Sequence, residues 1–329
     1  MARNRRSTKI QPAQTDLMLQ IPAGGTAAGS TSYVDTAREL SRLNRRLYSQ
    51  SRMYAYQGLT FIWRATPSAS PNDLASIEVK LSTAGNTWVV QNAHTKGHAL
   101  WNQMQDLVLD DNPSVKGKWH DYKVKLDYLM TTGRILNVKD SSMADIKAGE
   151  WDYSTYVMPQ HDVNPTTGEP LAAEEFVACL IGADVSANKS LVKAYEESRA
   201  TVQAVDPNVP AGMSTSFFNL LTDSGSQEPE LADVIEDEND EPPYDVDEYV
   251  GSDTNGVAPL IVGYGAISPQ EVDGRIGPFI APCGLIQIEV KGYNSVGAIV
   301  PDANMPAIDL ILHVAPGIYK GVASVPMGQ

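Results

Sequence analysis

Nine of the chain's lysines and arginines fall within its first 52 residues: Arg3, Arg5, Arg6, Lys9, Arg38, Arg42, Arg45, Arg46 and Arg52. Three carboxylates accompany them, Asp16, Asp35 and Glu39, so this end carries +6 in a 329-residue chain whose net charge is −15. A guanidinium presents its donors as a planar fork that matches phosphate oxygens and also stacks on unpaired bases. Each neutralised phosphate releases counterions, so many such contacts give binding that is steep in salt and tolerant of sequence. The chemistry expected of these residues is therefore polyanion binding.

Other candidate chemistry is weaker. His94 and His98 stand four apart in HTKGH, the spacing of a helical zinc pair, but Thr95 occupies the place of the catalytic glutamate and no third ligand is evident. His120 and Asp121 are strand neighbours that point to opposite faces, and His161 and His313 have no identifiable partner. No nucleophile elbow, phosphate-binding loop or dinucleotide fingerprint occurs. The two cysteines, Cys179 and Cys283, lie in apolar surroundings and read as buried structural thiols. From Glu228 to Asp253 there are twelve carboxylates and no Lys or Arg. Asp237, Asp240, Asp245, Asp247 and Glu248 could face a calcium ion, yet the spacing of a calcium-binding loop is missing, so a solvated acidic face is expected. The expectation is a protein without catalytic residues, bound metal or cofactor.

The arginines need an element to aim them. Over 35–52, helical spacing gathers Arg38, Arg42, Arg45 and Arg46 within about 100° of arc, with Leu40, Leu43 and Leu47 opposite. This predicts an amphipathic helix, N-capped by Asp35, that docks its leucines and presents its arginines outward, with a modest Glu39–Arg42 pair. Residues 10–32 show no sustained period, so a basic flexible arm is expected over 1–32.

Beyond the helix the chain alternates as a β protein does. MYAYQGLTFIWRA places Leu59, Phe61 and Trp63 on one face, and ASIEVKLSTA does the same with Ile77, Val79 and Leu81. KWHDYKVKLDYLM gives the clearest alternation, Tyr122, Val124, Leu126, Tyr128 and Met130 against Lys123, Lys125 and Asp127. Further strands are predicted in EWDYSTYVM, EEFVACLIGA, APLIVGYGAI, LIQIEVKGY and IDLILHVAPGIYKG. One helix is predicted from Asn92 as N-cap to a stop at Asn112-Pro113, with Leu100, Trp101, Met104, Leu107 and Val108 as its apolar face. A shorter one is predicted in NKSLVKAYEESRATVQ. Strands with few helical crossovers predict an all-β fold, a two-sheet antiparallel sandwich or single jelly roll, over 33–329 with one or two inserted helices. An acidic surface insertion is expected at about 206–256. No apolar run approaches the roughly 18–20 residues of a membrane span, and the N-terminus lacks the apolar core of a secretory signal.

The stretch NTWVVQNAHTKGHALWNQMQDLVLDDNPSVKGKWHDYKVKLDY, residues 86–128, resembles capsid proteins of circovirus-like, Rep-encoding circular single-stranded DNA viruses. The similarity rests on WVVQNA read as a strand, on the helix bearing Trp101, on DNPSVKGKWHDYKV as a turn into a strand, and on the preceding SRMYAYQGLTF. It covers the first 40–50% of the chain; the remainder is similar only in general character. The resemblance implies a single jelly roll that assembles as a homo-oligomer, a small icosahedral shell of identical subunits, around single-stranded DNA. It also implies assembly in the host nucleus, residence in the virion, and exterior loops open to a host surface receptor. Family members often carry a denser arginine arm than the four basic residues of the first nine here, which shifts genome contact toward the helix. The alternative from residues alone is a β-sandwich module that binds carbohydrate or peptide with an acidic calcium loop.

Overall fold

The computed structural model describes residues 12–25, 31–63, 74–114, 121–158, 174–197, 259–268, 271 and 273–328. In chain order the strands are β1 (Asp16–Ile21), β2 (Thr31–Asp35), β3 (Arg52–Trp63), β4 (Leu74–Thr83), β5 (Thr155–Met158), β6 (Glu174–Cys179) and β7 (Asn188–Ser190). They continue as β8 (Leu260–Ile267), β9 (Asp273–Ile276), β10 (Phe279–Ala281), β11 (Leu285–Asn294), β12 (Ile299–Val300), β13 (Ile308–Val314), β14 (Pro316–Tyr319) and β15 (Ser324–Pro326). The helices are α1 (Thr36–Asn44), α2 (Trp88–Asp111) and α3 (Leu191–Glu197).

The main strand pairings nest from the outside in. β1 pairs with β13, β2 with β11, β3 with β9 and β10, and β4 with β8, all antiparallel. Rolling this long hairpin brings β13 onto β3 and β11 onto β4. Two sheets result, one ordered β1-β13-β3-β10 with β9 and β15 also on β3, the other β12-β11-β4-β8 with β2 on β11. That is the strand order of a jelly roll, the all-β two-sheet sandwich expected from the alternation. Leu17, Leu19, Leu59, Phe61, Leu310 and Leu312 from the first sheet share one core with Ile77, Val79, Leu81, Ile286, Ile288 and Val290 from the second. Each such side chain contributes about 1.5–3 kcal/mol on burial.

Between β4 and β8 the chain leaves the roll. Helix α2, the three-stranded sheet β5-β6-β7 and α3 build a second core on Val89, Val90, Ala93, Trp101, Tyr122, Val124 and Leu126. Tyr33, Cys283 and Leu285 join it to the roll, and both cysteines are buried as expected. No helix of the described residues is long and apolar enough to cross a membrane.

Several expectations are corrected. Residues 16–21, assigned to the flexible arm, form β1, whose Leu17, Leu19 and Ile21 enter the core. The segment 121–130 is not a strand and does not alternate in burial, since Lys123 and Asp127 are buried beside Tyr122, Val124 and Leu126. Its amides go to side chains, Val124 N to Gln50 Oε1 (2.6 Å) and Lys123 N to Ser154 Oγ (3.0 Å). A single bridge, Lys125 to Cys179, is its sheet-like pairing. WVVQNA, read as a strand, is the first turn and a half of α2, which is capped by Thr87 rather than Asn92. A short apolar run has no period that separates the two forms, and the Thr87 Oγ1 bond to Val90 N (3.3 Å) decides for helix. Of the apolar face expected for this helix, Trp101 is buried while Leu100 and Val108 are half exposed. The buried stripe begins earlier, at Val89, Val90, Ala93 and His94. Residues 198–258, with the acidic run, lie outside the described residues.

Candidate nucleic-acid interface

Asp35 caps α1 as the sequence predicts, its Oδ1 accepting from Arg38 N at 3.1 Å. The same carboxylate is fully buried and its Oδ2 also accepts from Gln50 Nε2 (2.9 Å), Trp151 Nε1 (2.9 Å) and Tyr153 OH (3.3 Å). Burial pushes its carboxyl above the usual range, and the Arg38 amide heads the donors that oppose the shift. One residue therefore fixes both the start of the helix and the indole of Trp151.

The next turn is an internal ion cluster. Glu39 is fully buried and receives Arg42 Nη1 at 3.0 Å and Val138 N at 2.7 Å, with Arg38 Nη1 at 3.5 Å. Burial raises its carboxyl, while the Arg38 and Arg42 charges pull it back. Arg42 also donates to Asn137 Oδ1 (2.8 Å) and to the Ile146 carbonyl, which ties α1 to the loop 137–151. Asn137 accepts from Arg38 Nη2 at 3.2 Å and donates to Asp145 at 3.1 Å.

The helix then stops. Arg45 is its C-cap in the left-handed region (φ 53°), and Tyr48 N turns back to Ser41 Oγ at 2.9 Å. Tyr48 is fully buried, with its hydroxyl on the Lys320 carbonyl at 2.9 Å. Burying Tyr48 leaves Arg45, Arg46 and Leu47 on the surface.

Here the chain forms a cleft of about 290 Å³, lined by Arg38, Arg45, Arg46, Lys147, Glu150 and Trp151 among others. Five cations line it with the indole, Arg42 among them although its guanidinium is committed to Glu39, and Glu150 is the one carboxylate in the lining. Arg45 and Lys147 make no hydrogen bond or ion pair among the described residues. Arg46 Nη1 reaches the Pro12 carbonyl at 3.2 Å, and Asn44 exchanges bonds with the Gln14 backbone at 2.8 and 3.0 Å. The segment bearing Arg3, Arg5, Arg6 and Lys9 therefore joins the body at this corner, although those four residues lie outside the described residues. Lys320, which donates to the Leu47 carbonyl, adds a cation beside it.

The five cations named from sequence that fall among the described residues thus separate by environment. Arg45 and Arg46 are exposed as expected and Arg38 reaches the cleft with its side chain 15% exposed. Arg42 is corrected from surface to interior, since Glu39 and the Ile146 carbonyl hold it more cheaply than water can reach it. Arg52 is half-buried at the start of β3, where it bonds Ser324 at 2.9 Å and lies 3.8 Å over the Tyr319 ring. Leu47, expected in the core, is 46% exposed because the helix ends before it. Sequence reasoning missed Lys147 and Trp151, which stand about a hundred residues from α1 with no local pattern to mark them.

The histidine pair carries no metal ligand set. His98 stacks on Tyr122 (4.9 Å, 4°) and His94 lies 5.3 Å from the same ring, so both belong to an aromatic core. No group of three or more metal-ligating side chains occurs among the described residues. Compared with known proteins, the chain matches no family model, no curated protein and no solved structure.

Proposed function

We propose that this protein is a capsid subunit of the kind the 86–128 stretch resembles, one that assembles with identical copies around single-stranded DNA. The observation that carries the reading is the corner at the end of α1. A jelly roll, a fold used for viral shells among other roles, here gathers exposed cations beside an indole where a basic terminal segment joins the body. Cations on a groove with an aromatic wall suit unpaired nucleotides, phosphate by charge and base by stacking. No side chain in the cleft is arranged as a fixed pair toward a base edge, so the binding is sequence-tolerant.

The test is expression of the full chain followed by negative-stain microscopy and absorbance at 260 and 280 nm. Particles of uniform size containing nucleic acid are expected. Protein that stays monomeric across salt and pH would falsify the shell. Particles whose absorbance ratio is unchanged in an Arg45→Ala, Arg46→Ala, Lys147→Ala variant would remove the cleft from packaging while leaving the shell.

A further inference from the structure

The first half of α2 buries an imidazole that has nothing to bond. His94 is 2% exposed, its Nε2 has no hydrogen-bond partner, and the second core surrounds it. His98 stands one turn on, its ring centroid 5.9 Å away, and both rings pack against Tyr122. The fit is close because position 97 is glycine. A Cβ there would come within 2.8 Å of both Tyr122 OH and Leu191 Cδ2. The Gly97 carbonyl instead accepts from Tyr156 OH at 2.8 Å, and Tyr122 and Tyr156 share a hydrogen bond of 2.7 Å.

We propose that this half of α2 is an acid-released latch, closed while His94 and His98 are neutral against Tyr122 and opened when they take up protons. The groups facing the pair support that direction. From α2 itself His94 sees only the second imidazole, which opposes a charge on it. From the segment 121–127 come the Tyr122 hydroxyl and the Asp121 carboxylate. Asp121 draws His98 toward its charged form, but burial outweighs it and His98 stays below the ordinary histidine range. From β5 comes the Tyr156 hydroxyl, and from the turn Pro282–Gly284 the neutral, buried Cys283 thiol. None of these supplies an anion to His94.

The sign follows from linkage. Burial pushes His94 down to about 3, below the value of about 6.5 for an unfolded histidine. The opened state then binds the extra proton, so stability is intact above about pH 6.5 and falls as pH drops toward 3. At pH 5.0 this one group lowers the folding equilibrium constant about 30-fold relative to pH 7.5. The opening would separate α2 from the 121–127 segment first, because the two meet at these rings.

Urea unfolding of the full chain at pH 7.5, 6.0 and 5.0, followed by tryptophan fluorescence, measures the effect. Between pH 7.5 and 5.0 the equilibrium constant of the wild type should fall about 30-fold further than that of His94→Phe, which fills the site without a titrating nitrogen. Equal pH dependence in the two proteins overturns the assignment. If His94→Phe does not fold, hydrogen exchange of the wild type decides. Protection over Val90–Trp101, corrected for intrinsic rates, should fall with pH ahead of β3 and β13, and protection that stays level overturns the latch.

Discussion

Arg42 and Arg45 stand three residues apart and serve opposite ends. Arg42 neutralises a buried Glu39 and clips α1 to the loop 137–151, whereas Arg45 reaches solvent because its own backbone ends the helix. Arg42→Ala leaves Glu39 buried without its closest cation and should cost about 3–5 kcal/mol by urea denaturation. Replacing Arg45, Arg46 and Lys147 together should change stability by little, roughly 0.5 kcal/mol per site, because surface cations contribute little to folding. The same triple variant should weaken binding to single-stranded oligonucleotides at low salt. In a plot of log affinity against log salt its slope should flatten by about 2, from a contribution of roughly 0.7 per phosphate contact on single strands. A slope that does not move would show that the three cations touch no phosphate.

Strand β3 shows at the scale of an element what packing asks of one position. Its pairing with β13 slips after His313, so Gln57 is the extra residue of a bulge and Gly58 follows at φ +141°. A Cβ on Gly58 would lie 2.2 Å from the Ile276 carbonyl oxygen of β9. Gly58→Ala should therefore cost about 3 kcal/mol or more, read by thermal melting, while Gln57→Ala beside it, with an exposed side chain, should cost under about 0.5 kcal/mol. Near-equal effects would mean that the bulge relaxes. Elements differ in how readily they could be read beforehand. β3 and β4 were legible because Leu59, Phe61, Ile77, Val79 and Leu81 alternate over half-buried sheet. The same alternation at 122–130 misled, since Lys123 and Asp127 are buried with the apolar residues and the Lys123 and Val124 amides bond to side chains rather than to a neighbouring strand. Asp35 as the cap of α1 was legible from local chemistry. The end of α1 was not, because Tyr48 pulls the chain back through contacts with Tyr319 and Lys320 that lie some 270 residues away. The cleft was half legible for the same reason: Arg45 and Arg46 were visible in one stretch, while Lys147 and Trp151 are brought to it by long-range bonds such as Arg42–Ile146 and Asp35–Trp151.

Charge governs the molecule as a whole. Each chain carries −15, concentrated away from a basic corner, so identical copies brought together repel unless something screens them. In the shell we propose, nucleic acid engages the cations of the corner and the rest of the surface faces other copies or solvent. Salt can substitute for part of that role, since raising ionic strength from about 0.1 M to 1 M shortens the screening length from about 10 Å to 3 Å. The Arg45→Ala, Arg46→Ala, Lys147→Ala chain has three fewer cations and a charge of −18, with less means to recruit a polyanion. It should stay dispersed at low salt and assemble near 1 M as particles of wild-type diameter with a protein-like 260/280 ratio. Light scattering across a salt series, with microscopy at the two ends, measures this directly. Equal assembly of the variant at both ends of the series would show that subunit contacts alone close the shell, and the basic corner would then have no part in starting it.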